Sequence, residues 1–408
     1  MSAYVATGLQ FRSPGMSGRI ATPREHLPAG EDFLLLSPTA QAYAYRNVDR
    51  MFATRTIHRG AQAFALPYGV EIAPRYQHLG LDLGVADYID RTNVAGLIVM
   101  KSGRIVLERY ALGLDEKTRW SSMSTVKSMT STLVGAALHD GAIASLADSI
   151  ASYIAALRGS AYDGVAVRHL LTMSSGVQWS EAYTDRHSDV NQYSKSLGDK
   201  VPGGVLAIMR ALPQAAPPGT QFNYNTGDTY LLGCLVSAAT GKKLADYMSE
   251  KIWANFGMEF DAYYTLESED GQEIGGSRAG IALRDFARFG AFILGDGIAN
   301  GRRVLPSSWV AEAARVSVPL EPSLTSYGLA GYGYSWWIDS DGSMVAVGFA
   351  GQSLYINRQE ELVIATLSCW PQPPYEATYG IDRPAERLAF RTAVVEQLRI
   401  KGPSLRSG

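Results

Sequence analysis

Ser124-Thr125-Val126-Lys127 places a hydroxyl three residues before an amine, at the start of an apolar-periodic stretch. On a helix, residues three apart share a face, so the Lys127 ammonium reaches the Ser124 hydroxyl. Serine is a weak nucleophile until a base takes its proton. Lysine serves as that base only where burial or nearby positive charge lowers its pKa. A helix N-terminus adds positive partial charge and N–H groups beside the serine. The pattern suits attack on an amide or ester carbonyl, with Ser124 as nucleophile and Lys127 as proton acceptor. The tetrad alone is weak evidence, because a capping serine followed by a surface lysine has the same spelling. Against that alternative, this lysine falls where an apolar helix would bury it.

A second element is Pro218-Gly219-Thr220-Gln221-Phe222-Asn223-Tyr224-Asn225-Thr226-Gly227. Pro-Gly makes a turn, and Tyr224 falls on the short loop before a helical stretch. A phenol beside a Ser–Lys pair can relay a proton to the departing amine or alkoxide. A tyrosine merely packed at a loop base is the competing reading in a chain with 22 of them. The third element is Ala346-Val347-Gly348-Phe349-Ala350-Gly351-Gln352. Small residues let a substrate lie against a strand at Val347 and Gly348, and the Phe349 N–H can face an oxyanion. A plain glycine-bearing edge strand reads the same way.

Other chemistries find less support. Gly275-Gly276-Ser277-Arg278-Ala279 approaches the G-x-S-x-G elbow but ends in alanine. His139 and His169 sit in apolar helical runs and read as core histidines, while His187 lies in a loop near Asp185. The six histidines form no H-E-x-x-H pair, and two cysteines, Cys234 and Cys369, are too few for a disulfide framework or a zinc ribbon. Net charge is −2 with no Lys/Arg block, which argues against nucleic acid and anionic membranes as partners. No apolar leader or run of about eighteen apolar residues is present. The expectation is a soluble cytoplasmic protein with no cofactor and no metal.

These residues need elements to position them. Ser37 to Arg55 reads as helical and Thr56 to Gly80 as extended chain with turns. Gly96–Met100 and Ile105–Tyr110 are β-rich and joined by a hairpin signal. Met123 to Gly141 carries helical spacing. Leu146–Ile154 and Val167–Met173 read as short helices, followed by Ser-, Gly- and Asp-rich loops to about Pro202. Further helices are expected over Gly204–Leu212, Gly227–Thr240, Leu244–Phe256 and Leu283–Leu294, the charged residues of Leu283–Gly290 forming a solvated face. Ser335–Asp339, Met344–Val347, Ser353–Asn357 and Leu362–Ser368 form an antiparallel meander, and Arg387–Ile400 closes the chain as a helix before frayed final residues. A sheet built from both ends with a helical insertion follows. The expected division is an irregular arm over 1–30, a discontinuous α/β domain over 31–150 and 275–408, and a mainly helical inserted domain over 151–274.

With its three elements in this order, the chain resembles the β-lactamase and penicillin-binding-protein superfamily, in its class C and family VIII carboxylesterase branch. Within that branch it is most similar to the 6-aminohexanoate-dimer (nylon-oligomer) hydrolases. Accessory stretches agree, among them Val167 to Gly176 and Gly275-Gly276 before Leu283 to Gly290. The resemblance implies an α+β, transpeptidase-like fold: an antiparallel sheet flanked by helices, with the helical insertion. It implies Ser124 as nucleophile, Lys127 as base, Tyr224 as proton shuttle, and the N–H groups of Ser124 and Phe349 as oxyanion hole. It nominates Tyr183, in Trp179 to Asp185, and Trp337, in the Trp336-Trp337 pair, as substrate contacts; packing explains either as readily. Two positions depart from the pattern: Thr226 replaces the asparagine of the second motif, and Ala346 the cation of the third. The second departure tells against a true β-lactamase or D-peptidase. No class A-style deacylating glutamate is identified; Glu181 is a conceivable one but reads better as a solvated loop charge.

The reading is a serine hydrolase of short linear amides or carboxylic esters. Its partner is a small-molecule substrate, with a homodimer left open. The alternatives are an acyltransferase using the same acyl-enzyme, a β-lactamase or D-peptidase, and a non-enzymatic penicillin-binding-type binding or sensor module. Intact Ser124, Lys127 and Tyr224 argue against the module.

Overall fold

The computed structural model describes residues 27–28, 30–320, 328–371 and 381–400. The expected arm over residues 1–30 lies almost wholly outside them, as do the final residues beyond Ile400.

The chain's hairpin, β1 (Val94–Lys101) and β2 (Arg104–Tyr110), turns through Ser102 and Gly103, both at positive φ. Two left-handed residues in a two-residue turn match the strands' own twist, and glycine adopts that conformation without strain. The meander near the C-terminus supplies β3 (Val318–Pro319), β4 (Leu329–Tyr332), β5 (Trp337–Asp339), β6 (Met344–Gly348), β7 (Gln352–Asn357) and β8 (Leu362–Ser368). Together they form one antiparallel sheet ordered β3-β4-β5-β6-β7-β8-β1-β2. The ends of the chain meet in its middle, where Leu362 pairs with Lys101 and Thr366 with Leu97.

Strands β1, β7 and β8 are buried on both faces, which explains runs such as Val-Ala-Gly-Leu-Ile-Val-Met in place of alternation. Helix α1 (Val126–His139) is the central helix, α2 (Thr226–Thr240) packs against it, and α3 (Leu283–Leu294) covers one face of the sheet. Gly290 lets α3 approach: a Cβ there would stand 2.5 Å from Val363 Cγ1 on β8. The other face is covered by α4 (Arg383–Ile400), whose Phe390 stacks on Tyr88 at 4.0 Å and 1°. An apolar core therefore lies on each side of the sheet.

Several expectations need correction. The helix expected over Ser37–Arg55 breaks into Pro38–Tyr45 and Val48–Met51, and Thr54–Ile57 is a strand. That strand belongs to a second sheet ordered Thr54–Ile57, Ala262–Thr265, Ala279–Ile281, Trp120–Ser121, which has no counterpart in the sequence reading. Strands of two to four residues carry too little periodicity to be seen without their partners. Asp189–Gly198, expected as loop, is a helix capped by Ser188, with Val190, Tyr193 and Leu197 buried. Its apolar spacing is masked by the polar residues between. Leu244–Phe256 continues beyond Met248 as wider π-type turns to Gly257. The charged face of α3 is not solvated: Asp285 and Arg288 are buried, and Asp285 accepts from the Glu259 and Phe260 N–H groups and from Arg288. His139 is exposed at the end of α1, not in the core, and His169 is half-buried.

Among the described residues no helix is long and apolar enough to cross a membrane, and no cluster of three His, Cys, Asp or Glu side chains could hold a metal ion.

Candidate active site

Ser124 follows a short strand, Trp120–Ser121, and precedes α1 in a tight 3-10 turn. Met123 is at φ 46°, in the left-handed region that a bulky residue occupies only when its surroundings hold it there. Ser122 does part of that holding. Its N–H donates to Ala279 O at 2.8 Å and its Oγ accepts from Ala279 N at 2.9 Å. The turn lifts the Ser124 side chain out of the packed core, and Ser124 is half-exposed while Lys127 is buried.

The small polar side chains of α1 anchor the helix to the loops around it. Thr130 Oγ1 donates to Gly275 O at 2.7 Å and Ser128 Oγ to Ser335 O at 2.7 Å. Those bonds bring Gly276 over Lys127, and Lys127 Nζ lies 3.0 Å from Ser124 Oγ and 2.9 Å from Thr226 Oγ1, with Gly276 O at 2.5 Å. Burial pushes the Lys127 pKa down to about 8, against an opposing pull from the Glu181 carboxylate. In neutral form the amine can keep its bonds to Gly276 O and Thr226 Oγ1 and turn its lone pair toward the Ser124 hydroxyl.

Tyr224 lies beside the pair, its ring centroid 5.0 Å from Lys127 Nζ. Burial and the Glu181 charge raise the phenol's pKa well above its ordinary value, and the neighbouring Ser124 hydroxyl lowers it by less. Trp337 stacks on Tyr224 at 5.5 Å and 21°, and Tyr332 meets both rings edge-on. The third motif arrives on β6. A Cβ at Gly348 would lie 2.9 Å from Ser122 O and 3.1 Å from Met123 Cβ, so only glycine lets this strand reach the serine turn. Phe349 follows in a short turn, with Ala350 at φ 58°.

A cavity of about 30 Å³ opens beside Ser124. Met123, Glu181, Tyr183, Thr226 and Phe349 are among its walls, and Leu34, Val190, Tyr193, Ser194, Ser277 and Arg278 complete them. Of the residues singled out in the sequence, Ser124, Tyr183 and Phe349 line this cavity, while Lys127 and Tyr224 lie beside Ser124 outside its walls. Tyr183 meets Phe349 edge-on at 4.9 Å. Trp337 backs Tyr224, while Val347 and Gly348 approach along β6, outside the cavity walls. His139, His169 and His187 make no bond to Ser124, and His187 is exposed.

Sequence reasoning missed three positions. Glu181, read as a solvated charge, accepts from Thr226 Oγ1, from Thr226 N at 3.3 Å, from Tyr183 OH at 3.0 Å and from Trp179 Nε1. Thr226, noted only as a departure, joins Lys127 to that carboxylate, accepting from one and donating to the other. Gln352 holds the turn after β6: its Nε2 donates to Phe349 O at 3.0 Å, Ala350 O at 3.1 Å and Ser368 O at 2.8 Å, while its Oε1 accepts from Trp120 and Ser368. Thr226 and Gln352 lie inside the quoted motifs; Glu181 sits between the nominated Trp179 and Tyr183, and nothing in its spacing marks it.

The family model described as Beta-lactamase matches residues 84–388, most of the chain and all of this constellation. The chain belongs to the beta-lactamase family. It is a hydrolase of that fold, similar in sequence to a 6-aminohexanoate-dimer hydrolase. It is similar to the 6-aminohexanoate-dimer hydrolase of Paenarthrobacter ureafaciens, 28% identical over 305 residues, 72% of this chain and 77% of that protein. In structure it is similar to a Bacillus anthracis chain provisionally assigned as a 6-aminohexanoate-dimer hydrolase, with TM-score 0.79, 22% identity, and 92% of this chain and 97% of that one covered. A family VIII carboxylesterase shares the fold at TM-score 0.56 and 16% identity, over 75% of this chain and 94% of the other.

Proposed function

We propose that the chain hydrolyses short linear amides or carboxylic esters through an acyl-enzyme on Ser124. The observation that carries this reading is Lys127 Nζ at 3.0 Å from Ser124 Oγ, buried where its neutral form is accessible near pH 8. Neutral Lys127 takes the serine proton, and Ser124 Oγ attacks the carbonyl carbon as the C=O π pair moves to oxygen. The N–H groups of Ser124 and Phe349 hold that oxyanion. Collapse of the tetrahedral intermediate breaks the bond to the leaving amine or alkoxide, which takes a proton through Tyr224. A phenol held protonated at neutral pH has a proton to give and regains one from Lys127. Water then attacks the acyl carbonyl, passing its proton to the Tyr224–Lys127 pair, and Ser124 departs reprotonated.

Tyr183 forms part of the acyl-binding wall, and Trp337 positions Tyr224. The chemistry calls for no cofactor or metal. Esters turn over faster than amides, because an alkoxide leaves more readily than an unprotonated amine.

The test is turnover of a chromogenic short-chain ester by wild type and by Ser124→Ala, with mass spectrometry of the quenched protein. Wild-type turnover with an acyl adduct on the peptide carrying Ser124, both lost in the variant, is the expected result. An unchanged rate in Ser124→Ala overturns the mechanism. Transfer products on adding an amine or alcohol would make the enzyme an acyltransferase by the same intermediate, and a stable adduct without turnover would make it a binding module.

A further inference from the structure

Arg278 is buried to 3% exposure, and its guanidinium lies against the rings of Phe33 and Phe52, 4.7 and 4.0 Å from their centroids. Its Nε and Nη1 atoms are buried without a hydrogen-bond partner among the described residues. Its electrostatic neighbours are the Tyr193 and Tyr45 phenols, with no carboxylate among them, and no ion pair joins it to a described Asp or Glu. Burial lowers its pKa only to about 10, so at neutral pH it is still a cation. A buried guanidinium with idle donors and no counter-ion among the described residues is an unfavourable arrangement for a folded chain. Ring faces offset part of that cost but cannot use the N–H groups.

The same side chain lines the cavity that holds Ser124, beside Ser277, Ser194 and Tyr193. The cavity therefore has a nucleophile in one wall, a cation with idle donors and no ion-pair partner among the described residues in another, and hydroxyls next to that cation. Tyr224, the proposed donor to the leaving group, is not among the cavity walls. The leaving group thus departs on the Tyr224 side, and the cavity receives the acyl part that stays attached to Ser124 through both steps.

We propose that Arg278 anchors a carboxylate at the far end of the acyl chain, so that the preferred substrates are monoesters or monoamides of linear dicarboxylic acids. A carboxylate would supply a counter-ion and accept from an idle N–H group, a charge-assisted hydrogen bond that the ring faces cannot make. This inference rests on the acyl-enzyme reading for which part of the substrate enters the cavity.

The experiment compares kcat/KM for mono-4-nitrophenyl adipate and suberate with that for 4-nitrophenyl hexanoate and octanoate, in wild type, Arg278→Gln, Arg278→Lys and Ser124→Ala. Free adipate is titrated calorimetrically into wild type and Arg278→Gln. Wild type should favour the anionic ester of one chain length by at least about tenfold, and Arg278→Gln should abolish that ratio while Arg278→Lys keeps part of it. Adipate binding should weaken at least about tenfold in Arg278→Gln. Equal wild-type rates for charged and neutral esters, or a ratio and adipate affinity unmoved by Arg278→Gln, overturn the proposal. Should Arg278→Gln fail to fold, the wild-type ratio and Arg278→Lys decide it. Turnover surviving in Ser124→Ala would sink the acyl-enzyme reading alone, since adipate binding judges the carboxylate anchor separately.

Discussion

Lys127 is where burial and chemistry meet most directly. Its ordinary pKa of 10.5 falls to about 8 in the folded chain, so its neutral, base-competent fraction grows as pH rises through 8. We expect kcat/KM for a neutral ester to show an ascending limb near pH 8, with about a tenfold loss per pH unit below it. A flat profile from pH 6 to 9 would remove Lys127 from the role of base. Between about pH 8 and 10.5 the unfolded chain holds the Lys127 proton while the folded chain has released it, so this residue's contribution to stability rises with pH across that window. The Glu181 carboxylate pulls the other way, raising the Lys127 pKa. In Glu181→Gln the ascending limb should therefore move to lower pH; a limb that stays in place would show that the carboxylate does not act on Lys127.

Among the elements, the turn that follows β6 depends on a single side chain. Gln352 satisfies three backbone carbonyls with one amide, two of them in the Phe349–Gly351 turn. Gln352→Leu removes this side-chain donor from all three oxygens, of which Ala350 O keeps the Trp370 N–H at 3.1 Å, and we expect a loss of about 2 kcal/mol in urea denaturation. Displacing the Phe349 N–H should also lower kcat by about a hundredfold, with KM changed far less, because the oxyanion forms only in the transition state. Equal effects on kcat and KM would place Gln352 in substrate binding instead. The helix of Asp189–Gly198 teaches a second lesson. Its apolar residues become legible once Val190 and Tyr193 are seen lining the cavity; in the sequence they are diluted by Ser, Asn and Lys. Asp285 and Arg288 misled for the opposite reason, because charged residues at helical spacing read as solvated until the loop at Glu259 and Phe260 caps onto them.

At the scale of the molecule, the sheet joins residues from both ends of the chain, with β8 and β1 at the junction and covered on both faces. Amides in these two strands should exchange most slowly with solvent, and those of the short second sheet faster. Uniform exchange across both sheets would show that opening is global rather than layered. The sequence alone determined what depends on local spacing and residue type. This covers the Ser124–Lys127 pair one helical turn apart, the hairpin at Ser102-Gly103, the long helices, the last four strands of the meander (Val318–Pro319 and Leu329–Tyr332 going unread), and the motif order that marks the family. What depends on neighbours distant in the chain was decided by the tertiary structure alone. Only folding brings Thr226 and Glu181 to Lys127, pairs Trp120–Ser121 with Ala279–Ile281, and buries Arg278 in the serine's cavity with no counter-ion among the described residues. Spacing along a chain reports which side chains share a face, whereas burial and partnership are set by what packs against that face.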